Sequence, residues 1–317
     1  MRIREIYEKT IRKGMDVDPR GRKAVEEDLK RLKEEFNGLK DKEKRKFDAE
    51  RLANPYSDTR VLYGDLDREV KNILVGIDVE AAEVLLADRL RERSRPVDLI
   101  ISHHPEGRAM ANLYAVMGMQ SDILLKYGGV PVNVAEDIME ERIKEVERKL
   151  LPINHNRAVD VARLLDMPLM CIHTPADNAV TDHLQRLFDE KSPRHVSDII
   201  DILDDIPEYA YAAAETAGPK IVCGSGERKC GKVFVDMTGG TGGSKKAFEK
   251  LSQAGVGTVV GMHISEDHRE EAEKNHINVV IAGHIASDTL GMNLLLDDVL
   301  TDVSVVETSG FKRVVRI

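Results

Sequence analysis

Val97-Asp98-Leu99-Ile100-Ile101-Ser102-His103-His104-Pro105 is an apolar strand sequence that ends in two adjacent imidazoles and then a proline. In parallel α/β sheets the carboxyl edge of the strands is where ligands bind. Neighbouring side chains of a strand point to opposite faces, so two consecutive histidines can share a site only where the chain leaves the sheet. Pro105 marks that exit. Imidazole nitrogen suits zinc, iron, nickel and copper, and a His pair on a rigid strand end loses little ordering entropy on binding a metal. The alternative is a pair of histidines that hydrogen-bond loop backbone. As residues at a strand end, both are expected to contribute little to the core.

Two further stretches repeat the pattern. Leu169-Met170-Cys171-Ile172-His173-Thr174-Pro175-Ala176-Asp177 is again an apolar run ending in a ligand-capable segment. Asp177 can offer a bridging carboxylate or can cap a helix beginning near Asn178. In Val279-Val280-Ile281-Ala282-Gly283-His284-Ile285-Ala286-Ser287-Asp288 a strand turns through Gly283 into a helix, and a spacing of four places His284 and Asp288 on one helical face. Each is weak alone. Three strand ends finishing in His or Asp converge more forcefully, because the fold brings such ends to a common edge.

Around these stretches, short apolar runs alternate with amphipathic helical ones from residue 71 onward, which predicts an α/β protein with mostly parallel sheets and the metal site at their carboxyl ends. Strands are expected at 72–77, 97–102, 130–134, 169–173, 220–223, 233–236, 258–261, 279–282, 303–307 and 312–317, with helices such as 80–93 and 245–254 between them. A switch near 190–218 divides this region into two α/β lobes without a sequence repeat: 71–190, carrying His103, His104 and Asp177, and 191–317, from which the chain returns to the site at His284 and Asp288. Residues 1–70 differ. Val25, Leu29, Leu32, Phe36 and Leu39 recur at helical spacing in a stretch otherwise dominated by charge, which predicts an N-terminal helical arm or hairpin, broken at Asn37-Gly38 and closed at Asn54-Pro55.

A net charge of -9 over 317 residues argues against a grip on nucleic acid, which needs clustered Lys and Arg. No run approaches the roughly 18 apolar residues of a membrane span, and the start lacks a signal peptide's apolar core. Three cysteines, Cys171, Cys223 and Cys230, suit a reducing compartment and read as small core thiols, so the expected location is cytoplasmic. The 32% charged composition without tryptophan leans towards a heat-tolerant source.

Other motifs are less telling. Thr238-Gly239-Gly240-Thr241-Gly242-Gly243-Ser244-Lys245-Lys246 fails the P-loop pattern at Ser244, and reads as a turn for close strand–helix packing rather than a phosphate cradle. His155, His183, His195, His263, His268 and His276 read as surface histidines, whereas His173 is placed to support the site or to add a ligand.

In the strand leading to His103-His104-Pro105, in His173-Thr174-Pro175-Ala176-Asp177, in Gly283-His284-x-x-x-Asp288, and in Asp78 following Leu74-Val75-Gly76-Ile77, the chain resembles the NIF-three-like family (NGG-one-interacting factor three; GTP cyclohydrolase I type 2-like). The resemblance covers roughly residues 71–300. It implies a dinuclear site for two divalent ions (zinc, iron, manganese or nickel) held by His103, His104, Asp177, His284 and Asp288, and a toroidal homo-hexamer. The chain departs from the pattern in its N-terminal arm, in a long stretch between His104 and His173, and in Asp288, where the family usually has glutamate. The shorter carboxylate is expected to leave one ion loosely held, with a water completing its coordination.

The function expected is metal-dependent hydrolysis of a small substrate (a nucleotide, phosphoester or cyclic amide), with no side chain singled out as catalytic. A metal chaperone or store would need the same ligands without a substrate pocket, and an interaction scaffold would use the helical arm to recruit partners.

Overall fold

A computed structural model describes residues 1–316 of the chain. Among these, nine strands form two sheets: β1 Arg60–Tyr63, β2 Asn72–Gly76, β3 Leu99–Ser102, β4 Leu169–Cys171, β5 Lys220–Cys223, β6 Lys232–Asp236, β7 Val256–Gly261, β8 Asn278–Ile281 and β9 Ser304–Thr308. The first sheet runs β1-β4-β3-β2-β9 and the second β5-β8-β7-β6. Only β1 against β4 and β5 against β8 are antiparallel, so the protein is α/β with two mostly parallel lobes.

The strands are apolar on both faces because helices cover both sides of each sheet. Ile73, Val75, Leu99, Ile101 and Met170 pack with Ile3, Ile6, Met292, Leu295 and Leu296. Their strand neighbours Leu74, Ile100 and Leu169 point the other way, onto Val84, Ala87, Ala158 and Ala162. In the second sheet Val235, Val260 and Val280 meet Val180, Leu184, Phe188, Ile199 and Leu203. Phe234, Val259 and Val279 meet Val116, Met117, Ile123, Met139 and Val146. The part of the long stretch between His104 and His173 that runs from Leu113 to Leu150 is thus the layer that covers one face of the second sheet, while Ala158 and Ala162 return to the first.

The chain's two ends both enter the first sheet. β1 lies within the stretch expected to be an arm, and β9 within the stretch expected to form the second lobe, so two strands fall across the boundaries at 70 and 190. The helix Ile3–Asp16 belongs to the core as well: Ile3 and Ile6 are fully buried, and each such side chain contributes about 1.5–3 kcal/mol. The helix Arg22–Gly38 keeps the solvated character predicted for it. Its shielded stripe is the expected one, with Val25 fully buried against Ile11, Met15 and Tyr56, and Leu29 partly covered beside it. β1 escaped detection because its inward residue is an arginine: Arg60 is fully buried and pairs with Asp48 at 2.9 Å and Glu50 at 3.3 Å.

Two expected strands do not form. At 130–134, Pro131 instead caps the helix Val132–Leu150, its carbonyl accepting the Val134 and Ala135 amides. At 312–316 the backbone is tied to side chains rather than to a ladder: Asn293 Nδ2 donates to the Lys312 carbonyl at 2.9 Å, and the Arg313 amide donates to Glu307 at 2.8 Å. Ile317 lies outside the described residues. Among the described residues no helix is long and apolar enough to cross a membrane.

Candidate metal centre

His103 and His104 follow β3 at the point where the ladder ends. The His103 amide still donates to Gly76 O at 2.9 Å and the His104 amide to Ile77 O at 2.9 Å, so the backbone that carries both rings is fixed by β2. His173 follows the adjacent β4. The helix Thr174–Lys191 begins immediately after it, with Asp177 inside its first turn rather than at its cap. From the second sheet, β8 ends at Ile281, Gly283 turns with φ +113°, and His284 opens the helix His284–Val299 that carries Asp288. The strand ends meet as the sequence predicts.

Five imidazoles form a chain, His173–His103–His104–His284–His263, with successive ring centroids 4.9, 5.2, 5.1 and 4.9 Å apart. Asp288 sits among three of them. Its Oδ1 is 3.4 Å from His103 Nε2, and its Oδ2 is 3.4 Å from His104 Nε2 and 3.6 Å from His284 Nε2. Asp177 Oδ1 is 3.4 Å from His103 Nε2, and Asp177 Oδ2 is 3.7 Å from His173 Nε2. Two triads could each hold an ion: His103, His104 and Asp288; and His103, His173 and Asp177. His284 belongs to neither triad and meets the cluster at Asp288 and at the His104 ring.

Three of the rings, His103, His104 and His173, have their remote nitrogen engaged. His103 Nδ1 lies 3.0 Å from the Ile172 carbonyl, which can only accept, so Nδ1 carries the proton and Nε2 the lone pair. His104 Nδ1 donates to Asp78 at 2.7 Å, and His173 Nδ1 to Asp58 at 2.8 Å. A carboxylate or carbonyl behind the ring, fixing its tautomer and aiming Nε2 at a common point, is the usual arrangement behind metal-binding histidines. Asp58 also accepts from Thr174 Oγ1 at 2.6 Å and is fully buried.

The donors fit a metal better than they fit one another. His103 Nε2, Asp177 Oδ1 and both oxygens of Asp288 are buried without a hydrogen-bond partner. An unpaired buried carboxylate is costly unless a cation satisfies it. Bonds of about 2.0–2.1 Å to a tetrahedral ion set neighbouring donor atoms about 3.3 Å apart. Separations of 3.4 Å match that edge and exceed a hydrogen bond of normal length.

The charge states follow from burial. Burial pushes the His103 ring down to about 4, which keeps it neutral. Burial, with Asp288 and Asp58 nearby, lifts Asp177 to about 7. At His173 burial is outweighed by Asp177 and Asp58, which raise the ring to about 9. Burial also works against the charge on Asp288, yet the neighbouring His103, His104 and His284 rings hold its carboxyl well below the usual range.

Over this cluster lies a cavity of about 340 Å³, lined by both sheets' carboxyl ends. One expectation changes here: His103 is fully buried rather than peripheral to the core. His263 is exposed, as expected of a surface histidine, and its ring also lines the cavity against His284. The supporting Asp58 carried no signal at all, because it is far from His173 in sequence and only the fold joins them. The glycine loop behaves as a packing turn. Gln120 Nε2 donates to the Gly239 and Thr241 carbonyls at 2.6 Å, and a β-carbon on Gly239, whose φ is +98°, would lie 2.6 Å from Gln120 Cγ. Cys171, Cys223 and Cys230 are all buried free thiols.

A NIF3 superfamily protein from Sphaerobacter thermophilus is 30% identical to this chain over 80% of it and 91% of that protein, with a TM-score of 0.70. Reduced HcgD from Methanocaldococcus jannaschii is 17% identical over 85% and 97% of the two chains, with a TM-score of 0.49. A protein from Thermus thermophilus, TTHA1606, is 16% identical over 78% and 86%, with a TM-score of 0.42. No family model and no curated protein matches the chain.

Proposed function

The chain belongs to the NIF3 superfamily, and from that membership and the buried donor cluster we propose that it is a dinuclear metal-dependent hydrolase of a small substrate. The observation that supports this most directly is the set of four unpartnered buried donor atoms on His103, Asp177 and Asp288 beneath a cavity of ligand size. His103, His104, Asp177, His284 and Asp288 would hold the two ions, with zinc, iron, manganese and nickel all compatible with nitrogen and carboxylate donors. Bound divalent ions would supply Lewis acidity towards a carbonyl or phosphoryl oxygen and lower the pKa of water.

The chain's own part is positioning. Ile172 O, Asp78 and Asp58 hold three imidazoles with Nε2 directed inward. Val79, Met110, Leu113 and Met262 give the cavity apolar walls that restrict water around a bound substrate. A homo-hexamer in the cytoplasm completes the reading, and the resemblance described above supports the assembly. A monomer by light scattering at micromolar concentration would remove the hexamer without touching the site.

The experiment that tests the reading is elemental analysis of protein purified without added metal, paired with a hydrolysis screen before and after chelation. More than one equivalent per chain, with turnover lost on chelation and restored by metal, is the expected result. Metal without turnover would leave a chaperone or store. Folded protein that holds no metal and takes none up would defeat the proposal.

A further inference from the structure

The five imidazoles of the centre are of two kinds. His173, His103 and His104 each have Nδ1 held by a carboxylate or a carbonyl, which aims Nε2 at the donor cluster. His284 Nε2 stands 3.6 Å from Asp288 Oδ2, and neither His284 nor His263 makes a hydrogen bond through its ring among the described residues. Exposure rises along the same row: the side chain is 1% exposed at His103, 26% at His104 and 42% at His284, and His263 at the outer end is exposed. The row therefore runs from buried, oriented rings to open, unanchored ones.

His263 stands just beyond the carboxyl end of β7, in the wall of the cavity. Beside it lies Gly242, where even an added β-carbon would be 3.9 Å from His263 Cε1, so the glycine loop leaves the ring room to turn. An ion bonded about 2.0–2.1 Å from a ring nitrogen lies about 3.2 Å from the centre of that ring, so two rings can share one ion when their centres are within about 6 Å. His263 and His284, at 4.9 Å, and His284 and His104, at 5.1 Å, both meet this condition. The donors that would keep the ion are closed to water: His103 Nε2, Asp177 Oδ1 and both oxygens of Asp288 are buried. A divalent cation has to shed its hydration to reach them, and shedding it before new donors are bonded is costly. Transfer from ring to ring replaces water by nitrogen one bond at a time.

We propose that His263 is the entry ligand of the metal centre: it takes a divalent cation from solvent at the cavity mouth and passes it by way of His284 to Asp288 and His104, without being a ligand of the loaded site. His263 belongs to neither triad, which places it beside the holding donors rather than among them. The inference rests on the metal centre proposed above and adds the route by which that centre is filled and emptied. An entry ligand acts on rates alone. Because the way in is also the way out, its removal slows uptake and release by the same factor and leaves the affinity where it was. Loss of a resident ligand does otherwise, quickening release and lowering affinity.

Zinc alone is the probe. Chelator-treated full chain is mixed rapidly with zinc and uptake followed with a zinc-sensitive dye, release is followed by transfer to excess chelator, and bound zinc at equilibrium is counted by elemental analysis. The proteins compared are the wild type, His263→Ala and His276→Asn. His276 is an exposed histidine in the turn before β8, at the opposite edge of the sheet, and controls for the loss of a surface imidazole. In His263→Ala uptake and release should both slow about tenfold, the effect on a rate of losing one modest interaction with the ion in transit, while Kd and zinc content stay unchanged. His276→Asn should match the wild type throughout. Unchanged rates in His263→Ala, or equal slowing in His276→Asn, would overturn the proposal. Faster release with lower affinity in His263→Ala would make it a resident ligand and overturn the proposal as well. A wild type that binds no zinc defeats the metal centre and the entry role together, whereas normal zinc content with rates that ignore His263 defeats the entry role alone.

Discussion

Gly291 lies so close to Ala176 that a β-carbon on the glycine would fall 2.4 Å from the Ala176 carbonyl oxygen. The helices Thr174–Lys191 and His284–Val299 therefore touch backbone to backbone, one residue from Asp177 on one side and three from Asp288 on the other. This approach is what brings a carboxylate as short as aspartate into the ring of imidazoles. Gly291→Ala tests it with a sign that helix propensity alone would get wrong. In an unobstructed helix the change would stabilise by about 1 kcal/mol. Here the clash with backbone should outweigh it, costing about 1–3 kcal/mol and separating the two carboxylates. A lower melting temperature together with lower bound metal is expected. A variant that melts higher with unchanged metal would show that the contact does not set the site.

His103→Ala and His104→Ala should both lower bound metal, but they should differ in stability. His103 is fully buried and its ring donates to Ile172 O, so truncation leaves that carbonyl unsatisfied at a cost of about 1–3 kcal/mol. The His104 side chain is about a quarter exposed, at 26%, and its partner Asp78 is open to water. Its loss should leave the melting temperature of chelator-treated protein almost unchanged. Equal melting temperatures for the two chelated variants would contradict the burial difference, and normal metal content in both would remove the site assignment.

The parts of this fold that could be read from the chain are those where local pattern and final environment agree. β2, β3, β7 and β8 are mostly apolar runs because they are covered on both faces, and each ends where a ligand-capable residue or a glycine turn begins. β1 was hidden because its buried residue is Arg60, neutralised by Asp48 and Glu50 from elsewhere in the N-terminal segment. Val130-Pro131-Val132-Asn133-Val134 carries β-branched residues yet opens a helix, since the proline fixes the first turn and tertiary packing of Ala135 and Met139 decides the rest. Of the donor cluster, the strand-end histidines and the His-x-x-x-Asp pair were legible from spacing. Asp58 and His263 were not, because each is brought to the site by a contact between segments with no common local signature.

Asp58→Asn should weaken metal retention without removing a ligand. Asp58 Oδ2 accepts both the His173 Nδ1 proton and the Thr174 hydroxyl, so its charge fixes the ring's tautomer and the start of the helix that carries Asp177. Changes to such supporting partners typically cost about 10–100-fold in metal affinity. Competition with a chromophoric chelator measures it. Retention equal to wild type would mean that His173 and its partner stabilise the fold only, and that the His103, His173 and Asp177 group holds no ion.

Asp288 carries the sharpest prediction, because its length and its placement point to different outcomes. One methylene fewer than glutamate implies a carboxylate about 1.5 Å short of its partners if the helix stays put. In the structure the two oxygens divide their neighbours: Oδ1 faces His103, whose Nε2 also faces Asp177, while Oδ2 faces His104 and His284. The two halves thus meet at His103, which belongs to both triads, and Asp288 reaches it through Oδ1. Ions held by the two halves should be lost together, so chelator titration of the wild type is expected to show one phase rather than a loosely held ion leaving first. Asp288→Asn keeps one carbonyl oxygen and should abolish the coupling and most of the bound metal. Asp288→Glu should not improve retention: a longer carboxylate would press on His103 and His104, whose Nε2 atoms are already 3.4 Å away, and the helix cannot retreat without breaking the Gly291 contact. Lower metal content and a lower melting temperature are expected for that variant. Two well-separated phases in the wild type, merged or strengthened by the glutamate, would show that Asp288 falls short of one ion and that a water completes its coordination.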